Sequence, residues 1–511
     1  MNNYRQKYLK TYFWQIISVA LGFASLFIVI PSLSYDKEIF GIYSVCTSLT
    51  IFFSYADLGF LAAGTKYAAE YYIQGRHNEE VRVIGFTAFI MVIVFLILGL
   101  GVVVLGIFPK LLIPELVEGT SKYAISRALL ITLAISCPII IGQRILGLIF
   151  TIRVEDYKFQ RLLIIGNILR ISSVFYFMHG GRYMIVEYFI FYQAVSLMIV
   201  LSAMIYARKY GYNIREVLLA FRYDKEVFDK MKKLSGTALV LALSMIIYYE
   251  LDQVVISHTL GVKAVASYGA ALSVLTLVRT FCSIVYAPYA SRYNHFVGLN
   301  DINGLVGFVN KMIVMFAPIV VIPMMTLSIF AHPFVVSWIG DKYEDSSILV
   351  TFMVLSFISN FVKDPISGYF VAREKNMILV KYNLLMPTVY WIGIILTVHS
   401  LGLLSFASFK SIAPLVPAIA YWFIVRKELS SLNYEFVRFT EVIKTLLPGM
   451  IVVSVFAYSL YPFMKFEKGA DNMAFNIVIM VLCIIFGLIS TIPFNKYYRI
   501  ELSRLYNKIY R

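Results

Sequence analysis

Charged side chains are scarce in this chain of 511 residues: Asp, Glu, Lys and Arg together make up only 14% of it. Mean hydropathy is +0.78. So little charge over this length excludes a soluble enzyme, and so apolar a composition excludes disorder. Cysteine is sparse as well. Cys46, Cys137, Cys282 and Cys483 are scattered singly through apolar runs. They form no metal-ligand spacing and no disulfide framework, and read as small apolar fillers of helices. The 6 His are dispersed, with His258 and His332 at the ends of apolar runs where a wet surface suffices. There is no P-loop phosphate motif, no HExxH pair, no Cys-His set and no Ser-His-Asp arrangement. These absences predict a protein that is not an enzyme and carries no cofactor and no metal. Energy for any transport would come from ion gradients, the membrane potential or the substrate's own gradient.

Apolar runs are what the chain has in abundance: 60% of its residues are hydrophobic. A membrane-crossing helix needs about 20 predominantly apolar residues. The sequence supplies about fourteen such runs, at 12–33, 40–63, 83–108, 123–146, 162–178, 183–206, 235–257, 264–288, 311–332, 347–371, 379–399, 403–425, 443–463 and 474–494. Helices are required, since backbone polar groups in hydrocarbon must be paired within the segment. The predicted fold class is therefore an all-α polytopic membrane protein. Arg5, Lys7 and Lys10 precede the first run, which is too long for a cleaved signal peptide and reads as a retained helix.

The formal net charge is +16, and the placement of the basic residues accounts for it. With both termini on one side of the membrane, 31 of the 45 Lys and Arg fall on that side and 8 on the other. Cytoplasmic loops collect Lys and Arg, so both ends are predicted to be cytoplasmic and no nucleic-acid partner is needed. The largest cytoplasmic segment, 207–233, is strongly basic and divides the runs into six and eight. The tail 495–511 places Tyr498, Leu502, Leu505 and Ile509 at helical spacing among basic residues, the pattern of an amphipathic helix on the inner leaflet.

The layout of the first six runs matches that of the next six. Phe40-Gly41-Ile42-Tyr43-Ser44 precedes an apolar helix and Lys66-Tyr67-Ala68; Val265-Ala266-Ser267-Tyr268-Gly269 precedes another and Ser291-Arg292-Tyr293. An even number of spans per half gives a parallel repeat, and transporters so built place the substrate path between the halves. The expected organisation is a lobe at 1–206, a basic linker at 207–233, a second lobe at 234–426, an extra hairpin at 427–494 and the tail at 495–511.

Charges inside a bilayer cost about 2.5–3.5 kcal/mol each at a helix centre on insertion scales, so they normally face a cavity or a partner. Arg127, Arg144, Glu187, Lys410 and Asp57 lie near predicted span ends, where snorkelling or a helix-end contact accounts for them. Arg170, Arg279 and Lys363 lie deeper and are the candidate substrate-binding cations of a solvated chamber. Forked guanidinium donors suit a diphosphate. Glu250, Asp252 and Asp364 are candidates either for binding a coupling ion, proton or sodium, or for pairing helices. Pro365, beside Lys363 and Asp364, should kink the tenth span and is a candidate gating element.

Three stretches carry a family resemblance. Phe40-Gly41-Ile42-Tyr43-Ser44, Tyr55-Ala56-Asp57-Leu58-Gly59-Phe60 and Lys66-Tyr67-Ala68-Ala69-Glu70-Tyr71-Tyr72 resemble the N-terminal signature of bacterial polysaccharide-biosynthesis flippases. More closely, they resemble the O-antigen flippases of the multidrug/oligosaccharidyl-lipid/polysaccharide exporter superfamily. Asp252-Gln253-Val254-Val255-Ile256, then Leu260-Gly261 and Tyr268, is similar to that family's pattern at the start of its second half. The resemblance implies two helical lobes around a central cationic cavity in the bacterial inner membrane. It also implies translocation of an undecaprenyl-diphosphate-linked oligosaccharide, such as a lipopolysaccharide O-antigen unit, to the periplasmic leaflet by alternating access. Expected partners are that substrate, the bilayer, a coupling ion and other polysaccharide-assembly proteins. Asp57 and Gly59 read as a structural motif, capping or anchoring a loop. The competing readings are a cation-coupled multidrug exporter of the same superfamily and an integral-membrane polysaccharide polymerase.

Overall fold

Helix is present across all fourteen predicted spans in the computed structural model, which describes residues 2–55, 57–179, 182–212, 214–286 and 289–509. No strand occurs among the described residues. Twelve helices among them are long and apolar enough to cross a membrane. The two predicted spans outside that set are 40–63 and 162–178. The first is divided by a turn. The second lies on a helix that carries Asp156, Lys158, Arg161 and Arg170.

The chain separates into two compact units, Met1–Ala266 and Ser267–Arg511. The first contains α1 (Asn2–Leu33), α2 (Lys37–Tyr55), α3 (Phe60–Ile73), α4 (His77–Ile107), α5 (Ser121–Ile152), α6 (Asp156–Phe177), α7 (Ile185–Arg208), α8 (Ile214–Ala220), α9 (Lys225–Tyr249) and α10 (Asp252–Thr259). The boundary falls inside α11 (Val262–Tyr286). It therefore lies beyond the basic segment 207–233, because α9 packs on α3 and α10 on α2. The first unit is organised by α4 against α5, α1 against α6, and α5 against α7. At 31 residues α4 is about 46 Å long at 1.5 Å per residue, more than a hydrocarbon core requires.

The second unit continues with α12 (Ala290–Gly298), α13 (Ile302–Ile329), α14 (Ala331–Ile339), α15 (Asp345–Leu355), α16 (Asn360–Ala372), α17 (Asn376–Leu401), α18 (Leu403–Ile412), α19 (Leu415–Ser431), α20 (Phe439–Leu460), α21 (Ala470–Thr491) and α22 (Lys496–Ile509). Here α13 is the central element, touching α15, α16, α20 and α21. Side-chain caps start several helices. Thr120 accepts from the Tyr123 N–H, Asp224 from Val227 and Asp301 from Gly304, satisfying donors that a helix start leaves open.

Four predicted spans are broken in their interior, among them 403–425, which breaks at Ala413 and Pro414 between α18 and α19. The run 40–63 is divided into α2 and α3 by a turn in which Leu58 and Gly59 have φ of 50° and 75°. The run 235–257 breaks at Glu250 and Leu251, between α9 and α10. The run 347–371 passes through a 3-10 turn at Ser356–Ser359. That interruption lies ahead of Pro365, which itself sits within α16.

The basic segment 207–233 is folded onto the first unit. Its helix α8 lies on α4, where a Cβ at Gly85 would come within 2.5 Å of the Ala220 Cβ. Arg82 of α4 pairs with Asp224 and, at 2.8 Å, with Glu226. Tyr212 closes over Arg153, which is buried and donates to Glu80 at 3.1 Å and to the Tyr212 hydroxyl at 2.5 Å. The rings of Tyr72, Tyr210 and Tyr212 lie within 5.2 Å of that guanidinium.

The tail is helical as α22 and is tied to α13. Asn495 donates to the Val314 carbonyl at 3.1 Å and the Tyr498 hydroxyl to the Met315 carbonyl at 2.5 Å. Leu502 is exposed. The side chains of Leu505 and Ile509, and residues 510–511, lie outside the described residues.

Candidate functional site

Asp57 and Gly59 form the turn between α2 and α3. The Asp57 carboxylate accepts from the Gly59 N–H at 3.0 Å, and the Asp57 carbonyl accepts from Phe60 at 2.8 Å. At Gly59 a Cβ would lie 2.5 Å from the Ser235 carbonyl and 2.7 Å from the Ala238 Cβ, both on α9. Glycine here serves both the left-handed backbone and the close approach of α9.

Arg170 is the centre of a tyrosine-lined site in the first unit. It stands on α6, with its guanidinium carbon 3.8 Å from the centroid of the Tyr192 ring. Nη1 donates to the Asn167 side-chain oxygen at 3.2 Å and Nη2 to the Ser196 hydroxyl at 2.6 Å. Nε is buried and has no hydrogen-bond partner. Tyr43 of α2 and Tyr188 of α7 are within electrostatic range of the same cation. No carboxylate pairs with Arg170 among the described residues. Guanidinium has five donors, so part of its capacity is unspent. The group is half-buried, which keeps it open to a ligand while strengthening its field.

Arg279, on α11, and Lys363, on α16, belong to the second unit and are both half-buried. Lys363 has no carboxylate within ion-pair distance among the described residues. Its neighbour Asp364 lies within electrostatic range of Cys282, Tyr286 and Tyr293. The Tyr286 hydroxyl in that group is buried and has no hydrogen-bond partner among the described residues. Pro365 follows on the same helix.

Glu250 and Asp252 are both buried in the first unit at the break between α9 and α10. Asp252 accepts from the Gln253 N–H at 3.1 Å. The residues assigned to span ends divide. Arg127 and Glu187 are exposed. Lys410 is fully buried with its ammonium 4.8 Å from the centroid of the Tyr390 ring, so packing replaces snorkelling there. The sequence reading missed the tyrosines around Arg170. Tyr188, Tyr192 and Ser196 recur every fourth residue on α7, a polar-tipped line on an apolar helix that could have indicated them.

Comparison with known structures gives the class of fold: a multi-pass helical fold shared with structures described as a lipid II flippase and as a MATE multidrug resistance transporter. The chain superimposes on a structure described as the lipid II flippase MurJ in an inward closed conformation, with a TM-score of 0.70 and 13% identity, covering 99% of this chain and 100% of that one. It is also similar to an inward-facing multidrug resistance MATE transporter of the MOP superfamily, with a TM-score of 0.60, 14% identity and 82% and 98% coverage. In sequence, residues 237–398 match the protein family described as MatE. A curated relative, the uncharacterized membrane protein EpsK of Bacillus subtilis (strain 168), is 23% identical over 133 residues, and the match spans 26% of each chain.

Proposed function

We propose that this protein is a flippase that carries an undecaprenyl-diphosphate-linked oligosaccharide across the bacterial cytoplasmic membrane, from the cytoplasmic to the periplasmic leaflet. The observation that carries this reading is Arg170, a half-buried guanidinium with unspent donors, a tyrosine lining and no carboxylate partner among the described residues. A diphosphate can accept such donors in pairs. The tyrosine rings offer apolar faces and polar tips, which suits a sugar that follows the phosphate. Arg279 and Lys363 extend the same role into the second unit, and the similarity to a lipid II flippase fold supports a lipid-linked substrate. Both termini would be cytoplasmic, from the distribution of Lys and Arg. Glu250, Asp252 and Asp364 would bind a proton or sodium ion, and the segment from Ser356 to Pro365 would bend as the two access states exchange.

One feature favours a second reading, a cation-coupled multidrug exporter: the buried acids Glu250 and Asp252 would suit a cationic cargo, and the fold matches a multidrug transporter as well. The deciding experiment compares oriented membrane vesicles with and without the protein. The flippase reading expects protein-dependent movement of a lipid-linked oligosaccharide diphosphate and no accumulation of cationic dyes. Dye transport without lipid movement would reverse the assignment.

A further inference from the structure

A cleft of about 400 Å³ opens in the second unit where α20 begins and α21 gives way to α22. Asn310, Glu435, Arg438, Glu441, Lys496 and Tyr497 line it. Two asparagines fix its walls. Asn310 donates to the Glu435 carbonyl at 2.9 Å and accepts from the Val437 N–H at 3.0 Å. Asn495, fully buried, accepts from the N–H groups of Tyr497 and Tyr498 at 3.1 and 3.2 Å while donating to Val314. The cleft is thus preformed.

Its charges are balanced. Lys496 pairs with Glu441 at 2.6 Å, while Arg438 and Glu435 have no ion-pair partner among the described residues. Two cations and two carboxylates therefore line one small volume. Along α20, Phe439, Ile443, Leu447, Ile451 and Val455 are all exposed and recur every fourth residue, which sets them on one face running away from the cleft. Since α20 and α21 are membrane-length apolar helices, the cleft sits where hydrocarbon meets headgroups.

We infer that this cleft binds a zwitterionic phospholipid with a primary ammonium, phosphatidylethanolamine. The phosphate meets Arg438 and Lys496, the ammonium meets Glu435 and Glu441, and an acyl chain lies along the α20 stripe. A purely anionic headgroup would bring like charge against both carboxylates. A choline headgroup has no N–H to donate to them. The exposed stripe is what commits the site to a lipid rather than to a free phosphate compound.

The test uses the full-length protein in nanodiscs of equal parts phosphatidylethanolamine, phosphatidylcholine and phosphatidylglycerol, followed by native mass spectrometry of retained lipid. Preferential retention of phosphatidylethanolamine is expected. The double variant Arg438→Ala, Glu435→Gln should lower it by about tenfold, the loss of a charge-assisted hydrogen bond or two. Arg438→Lys, which keeps the charge, should retain most of it. Equal retention of the three lipids, preference for phosphatidylglycerol, or unchanged retention in the double variant would overturn the inference. Displacement by water-soluble glycerophosphoethanolamine at concentrations matching the lipid would overturn the role of the acyl chain.

Discussion

The guanidinium of Arg170 lies against the Tyr192 ring, 3.8 Å from its centroid, with its Nε buried and unpartnered. A cation held by a ring face, an amide oxygen and a hydroxyl keeps its charge available. A carboxylate in the same place would neutralise it. The contacts tie α6 to α7 without cancelling the charge, which is what the proposed role of Arg170 in meeting an anion requires.

Gly59→Ala should destabilise the protein. It places a Cβ 2.5 Å from the Ser235 carbonyl at a residue with φ of 75°. Backbone strain of this kind costs about 1–3 kcal/mol before any displacement of α9. Thermal unfolding in detergent checks it: a midpoint unchanged from wild type would mean that α3 and α9 separate freely.

Arg153→Ala should be more damaging than loss of an exposed basic residue such as Lys232. It removes the guanidinium from the buried Glu80 carboxylate, leaving it the Tyr212 hydroxyl and the His77 ring, and removing one member of a buried pair typically costs about 3–5 kcal/mol. Limited proteolysis of the 207–233 segment reads the same event locally, since Tyr210 and Tyr212 hold that segment to the guanidinium.

Acid should loosen the start of α11. Hydrogen bonds from Lys122 and Lys263 hold the Glu38 carboxyl below its ordinary value of 4.5. A depressed carboxylate contributes stability that is present above the unfolded value and is lost as pH falls through the lowered folded one. Amide exchange at Leu260–Ala264 should therefore accelerate below about pH 4.5, and Glu38→Gln should flatten that response. Exchange independent of pH in the wild type, after correction for intrinsic rates, would remove Glu38 from this role.

Asp364→Asn should change the proton or sodium dependence of transport while leaving membrane insertion intact. The carboxylate is within electrostatic range of the Tyr286 hydroxyl, which is buried and has no hydrogen-bond partner among the described residues, and this suits a site whose charge changes during the cycle. An ion response identical to wild type would leave Glu250 and Asp252 as the remaining acidic candidates.

The helices were legible because a run of apolar residues long enough to span hydrocarbon has few other solutions. Their interruptions were not. Acidic residues mark two of the breaks, Asp57 beside Leu58-Gly59 and Glu250 and Asp252 around Leu251, but charges also sit inside unbroken helices, as Arg170 does in α6, so hydropathy alone does not locate a break. The need of Arg170 for partners was also readable, since a charge amid apolar residues must be accommodated. Tyr43 comes from α2, a helix distant in sequence from α6, and composition does not register such convergence. The segment 207–233 reads in sequence only as a basic linker. Its order comes from a few specific contacts, such as Arg82 with Asp224 and Arg153 with Tyr212, that hydropathy averages away.

The most direct test is the rate at which purified protein in proteoliposomes translocates a lipid-linked oligosaccharide diphosphate, compared for wild type, Arg170→Lys and Arg170→Gln. The account predicts at least about a tenfold loss for Arg170→Gln, equivalent to one charge-assisted hydrogen bond, and partial activity for Arg170→Lys. Wild-type rates in Arg170→Gln at equal protein level would contradict it.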